Sequence, residues 1–83
     1  MTLKENTLYI MEYNKTYEGK EGHYKIKQTL VGYFLLNNPE HYFEGACFGK
    51  NSLFGTVYSD GVYLDKKDFE EDVSNVRELG EIE

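Results

Sequence analysis

The chain of 83 residues has one cysteine, one proline and no long apolar run. A lone thiol, Cys47, rules out an intramolecular disulfide. Secreted domains of this size usually depend on several bridges, so a cytoplasmic location is expected. The longest apolar-leaning stretch, Leu30 to Leu36, is interrupted by Gly32 and is far too short to span a bilayer. The segment from Met1 to Asn6 lacks the apolar core of a signal peptide. A basic face is also missing. Residues 1–64 carry seven acids against six Lys, and residues 65–83 carry eight acids against Lys66, Lys67 and Arg77. Nearly all of the net charge of −6 therefore lies in the last segment. Such a balance argues against direct nucleic-acid binding.

What is abundant is equally informative. Aromatic residues make up 16% of the chain, with eight Tyr and five Phe, whereas disordered segments are poor in aromatics. A single folded domain over 1–83 is expected, with the modest stability margin of its size. Eight glycines against one proline suit strands joined by tight turns. The richness in Lys, Glu, Asn and Tyr resembles proteins of AT-rich bacteria and their phages.

Alternation of side chains predicts strands over about 7–64. Leu8 to Tyr13 is the first, and the polar run Asn14 to Gly22 reads as the longest loop. His23 to Leu36 is the second, with Gly32 as a bulge or bend. Asn37-Asn38-Pro39-Glu40 is a turn, because Pro presets φ and Asn bonds its own backbone. Tyr42 to Phe48 is the third strand, and Gly49-Lys50-Asn51 is a tight loop. Leu53 to Ser59 and Val62 to Leu64 then flank Asp60-Gly61, a dipeptide suited to a type I′ hairpin turn. Asp65 caps a helix over about 66–79, whose apolar stripe is Phe69, Val73, Val76 and Leu79, with Gly80 as terminator. Short connections imply antiparallel neighbours. The expected fold is β-rich α+β: a five-stranded antiparallel meander, or a small SH3-like or OB-like barrel, with one C-terminal α-helix.

Catalytic signatures are weak. Gly49-Lys50-Asn51-Ser52 falls short of a phosphate loop, because three residues rather than four separate Gly45 from Gly49 and Asn51 follows the Lys. His23, His41 and Cys47 show no zinc spacing. Cys47 reads as a buried small hydrophobe. Neither catalytic residues, nor a metal, nor a cofactor is expected. The expected function is a non-catalytic acidic binding protein, an inhibitor or adaptor docking on the basic surface of a protein partner such as a nucleic-acid-binding or defence enzyme. Its acids would imitate a phosphate track. The candidate partner-binding residues are Asp68, Glu71, Asp72 and Glu78, with Tyr58 and Tyr63 as aromatic anchors. The alternative is a small barrel binding single-stranded nucleic acid or a small ligand through His23, Lys25, Lys27 and neighbouring Tyr.

Overall fold

The computed structural model describes residues 3–50 and 53–82. Five antiparallel strands form one sheet, with a single short helix: β1 Thr7–Gly19, β2 Gly22–Phe34, β3 Phe43–Lys50, β4 Val57–Leu64, α1 Lys66–Asp72 and β5 Val73–Glu81. The spatial order is β4-β3-β2-β1-β5. The β-rich α+β class is thus as expected from the alternation, and four consecutive strands form the expected meander. The sheet stays open, because β4 pairs only with β3 and β5 only with β1. Helix α1 touches β1, β4 and β5, filling the space between the two edges.

One face of the curled sheet holds the core. Tyr9 and Met11 of β1, Leu30 and Phe34 of β2, Phe43 and Cys47 of β3, and Leu64 of β4 are all buried. Phe69 is the helix's contribution. Its ring meets Phe34 edge-on at 5.0 Å, Tyr42 at 5.6 Å and Phe43 at 6.0 Å. Beneath these rings β2 and β3 pack very closely: Gly32 and Gly45 are cross-strand partners. A Cβ on Gly32 would lie 2.6 Å from Phe43 Cζ and 2.7 Å from the Gly45 Cα. That contact is why glycine stands at both positions.

Four sequence expectations require correction. The polar stretch Asn14 to Gly22 is not a loop, since β1 runs on to Gly19 and a two-residue turn, Lys20-Glu21, returns it to β2. Residues 14–19 of β1 pair only with β2, because β5 stops at Tyr13 and β3 reaches only Thr29. The result is a projecting two-stranded ribbon with little apolar demand on either face, and hence a polar sequence. It stretches the molecule to 38 × 26 × 19 Å with a radius of gyration of 13.6 Å, against about 12 Å for a compact domain of this length.

Asp60-Gly61 is not a turn either. Neither residue has a positive φ, and both lie within the uninterrupted β3–β4 ladder, Asp60 opposite Cys47 and Gly61 opposite Ala46. A turn there would have left β3 only half paired. The reversal occurs earlier instead, in the segment after Lys50, where Gly55 takes a φ of 70°. Gly49 and Lys50, expected in a loop, belong to β3, while Asn51 of that expected loop lies outside the described residues.

The helix expected over 66–79 ends at Asp72. Val73 is extended, and Asn75 has a φ of 53°, which no helix accommodates. β-branched Val73 and Val76, with Ser74 and Asn75 between them, are weak helix formers. Pairing with β1 satisfies a strand edge that would otherwise be bare. Of the two register shifts between β1 and β5, the one between Ile10 and Glu12 lets Val73 and Val76 both face the core despite their spacing of three, while Leu79 is 56% exposed.

These assignments predict opposite outcomes for two Gly→Ala changes. Gly45→Ala should cost about 3 kcal/mol or more through forced overpacking. Gly61→Ala meets open space at an extended position and should be neutral or stabilising by about 0.5 kcal/mol. Urea unfolding measures both. A strongly destabilised Gly61→Ala would restore the turn.

Candidate partner-binding surface

Four strands meet at a buried amide. Gln28, 5% exposed, donates from Nε2 to the hydroxyls of Tyr17 at 2.8 Å and Tyr58 at 2.9 Å, and its Oε1 accepts from the Cys47 thiol at 2.7 Å. Both amide hydrogens and the carbonyl are thus used, a satisfied network of the kind that fixes geometry. It explains Cys47, which burial holds above its ordinary pKa, with nearby Asp60 adding to the shift and Lys15 opposing it. The thiolate is the reactive form, so this thiol is placed to be inert. The network also explains Tyr58, whose ring crosses Gly49. Tyr58 is 38% exposed, with its hydroxyl held by Gln28.

Tyr63 differs. It lies on the opposite, convex face of β4, 69% exposed, and stacks on the His41 ring at 4.7 Å. Beside it, Glu44 accepts from the Tyr33 hydroxyl at 2.7 Å, and that bond holds the phenol above its ordinary pKa. Val57, at the other end of the same face of β4, is 73% exposed, and Leu53 and Phe54 in the preceding turn are 81% and 74% exposed. These three were not singled out in the sequence, where they read as strand interior. The signal was Leu53-Phe54 followed by Gly55, which places two large apolar groups at a chain reversal.

The four candidate acids separate. Asp68 and Glu71 are exposed on α1 with no ion pair among the described residues. The Asp68 carboxyl is pushed up, first by desolvation and then by Asp65, Asp72 and Glu71, while its backbone N–H is capped by the Asp65 carboxylate at 2.7 Å. Asp72 instead accepts from Lys25 at 3.0 Å, tying the ribbon to α1, and Glu78 lies on β5, 3.4 Å from Lys4. The expected acidic helix face is therefore reduced to the single turn around Asp68 and Glu71, joined directly to the end of β4.

The ribbon sets Lys15 over the Tyr17 ring at 5.3 Å and its β2 bases on the opposite face. Tyr17 and Tyr24 stack on each other at 5.7 Å on the core-side face. His23, Lys25 and Lys27 alternate onto the other, where Lys25 meets Asp72, Lys27 meets Glu12 at 3.6 Å and His23 meets Glu18 at 3.9 Å. Among the described residues no group of His, Cys, Asp and Glu could hold a metal, and no helix is long and apolar enough to cross a membrane. Comparison with protein-family models, curated proteins and solved structures finds no match.

The inert thiol makes a test. Native Cys47 should alkylate at least about a hundredfold more slowly than the unfolded chain, as opening must precede reaction. With the folded pKa raised, its stabilising contribution is full below the unfolded thiol pKa and is lost as pH rises through the folded one. Unfolding free energy should fall on the alkaline side, and less so in Cys47→Ala.

Proposed function

We propose that this chain is a non-catalytic binding module that docks on a basic surface of a protein partner through β4 and the first turns of α1. The observation that supports this reading is the continuity of two exposed features. An edge strand carrying Val57 and Tyr63 runs through Leu64 directly into a helical turn whose Asp68 and Glu71 form no ion pair among the described residues, although Lys67 adjoins Asp68. Asp72, Glu12 and Glu78, by contrast, lie within ion-pair distance of Lys25, Lys27 and Lys4 respectively. Large aromatic and apolar groups supply contact area, and unpaired acids beside them select and steer a basic partner.

In its sharper form, the module is a phage- or bacterium-encoded inhibitor or adaptor acting in the cytoplasm on a nucleic-acid-binding or defence enzyme, whose phosphate-binding surface is naturally basic. Catalysis has little support, because the thiol is held neutral and no described group pairs a nucleophile with a base. A single-strand nucleic-acid platform fits less well, since stacking needs aromatic and cationic groups on one face, and Lys15 shares the face of Tyr17 and Tyr24 while His23, Lys25 and Lys27 lie on the other.

Capture from a bacterial lysate on immobilised protein, followed by mass spectrometry, identifies the partner, and association kinetics across a salt series then test the surface. Asp68→Lys with Glu71→Lys should leave the unfolding free energy within about 0.5 kcal/mol, as expected for surface changes. It should slow association roughly tenfold at low ionic strength, with the difference shrinking as salt screens the charges. Unchanged association and a flat salt response would overturn the reading.

A further inference from the structure

The two edges of the sheet are built differently. β5 carries two register shifts, a φ of 53° at Asn75, and Arg77, Glu78 and Glu81 along its length. Those are the usual means of blunting an edge. β4 pairs with β3 through eight successive residues, Val57 to Leu64, with no shift, no Pro and no Lys. In an antiparallel ladder alternate residues turn their N–H and C=O groups away from the neighbour, so β4, unshifted against β3, offers a regular row of outward backbone groups. Its single charge, Asp60, lies at mid-strand on the same face as Tyr58 and Val62, exposed and with no ion pair among the described residues.

Asp60 decides what can occupy this edge. Two copies joined antiparallel through β4, with their faces continuous, must pair residues of like parity, because side chains alternate between faces. The central register sets Asp60 opposite Asp60, and a shift by one pairing either way leaves the two carboxylates diagonal, within about 7–8 Å. Larger shifts discard most of the ladder. A β4–β5 union of two copies would set the regular edge against the shifted one and bring Glu78 and Glu81 to the Asp60 side. Self-pairing is therefore disfavoured, while a strand with a cation opposite Asp60 is favoured by the same charge.

We propose that β4 is a strand-addition site whose occupant is an extended segment of the protein partner, with Lys or Arg opposite Asp60 and apolar residues opposite Tyr58 and Val62. The inference rests on the basic-partner reading and names how that partner is held: main-chain bonds supply the attachment, and alternate side chains supply selection. The neighbouring Asp68 and Glu71 favour further basic residues where the segment passes α1.

The test uses the full chain, isotope-labelled, and capped peptides with the core Val-Thr-Lys-Thr-Val. This core is symmetric, so it matches residues 58–62 in either direction. Amide shifts should change along β4, and hydrogen exchange should slow at alternate β4 residues only. Replacing the Lys of the peptide with Glu should weaken binding about tenfold or more, the size expected for exchanging an attractive cross-strand pair for a repulsive one. Methylating alternate peptide amides should abolish it. Asp60→Lys should reverse the preference toward the Glu peptide, and Asp60→Asn, a milder change, should narrow it if the reversal unfolds the chain. Binding that perturbs only Asp68 and Glu71 would overturn strand addition while leaving the basic-partner reading intact. No binding, equal binding of the methylated peptide, or a dimer of the free chain joined through β4 would each overturn it as well.

Discussion

The fold depends on covering one face of a five-stranded sheet with a helix of seven residues. Such a helix presents only one large apolar side chain, Phe69, and the rest follows from how that ring is accommodated. Phe34, Tyr42 and Phe43 surround it edge-on and stacked, an arrangement favoured by aromatic quadrupoles. To bring those rings together, β2 and β3 must run almost in contact at Gly32 and Gly45. The sheet curls, and its far end is held by a polar clasp, the Gln28 amide with Tyr17, Tyr58 and Cys47. Aromatic packing at one end and a satisfied amide at the other leave the edges apart, with α1 between them.

This arrangement accounts for the surface. A closed barrel would have no edges. Here β5 shifts its register along β1, while β4 pairs along β3 without a shift. The strand that remains regular is also the strand whose chain continues into the acidic turn. The edge and the acids are therefore brought together by connectivity as much as by packing. The projecting ribbon has a different character: Lys25 and Lys27 reach Asp72 and Glu12, and Lys15 lies over the Tyr17 ring.

Where a residue's role followed from local chemistry, the sequence was a good guide. The Asn38 turn formed as its side chain dictates, with Asn38 Oδ1 accepting from the N–H groups of Glu40 and His41, and Asp65 capped α1. Phe69, Val73 and Val76 reached the core. Where the outcome depended on a distant partner, local signals misled. Asp60-Gly61 has strong turn chemistry, but the full length of β3 required a partner. Residues 73–79 have a helical stripe, but the bare edge of β1 attracted them as a strand. Asn14 to Gly19 looked like a loop because a ribbon exposed on both faces needs few apolar residues. Among the site residues, Asp68, Glu71 and Tyr63 were legible as exposed. Tyr58 is exposed too, but its bond to Gln28 was not legible, because nothing local reveals that the amide lies within reach of its hydroxyl.

The central claim is that β4 is a free, regular edge in the isolated chain. Residue-resolved hydrogen exchange on the dilute protein measures this directly. The account predicts alternation along Val57 to Leu64, with amides directed at β3 protected and those between them exchanging at nearly the rate of open chain, unchanged by protein concentration. Uniform protection along the strand, or protection that grows with concentration, would show the edge already occupied and contradict it.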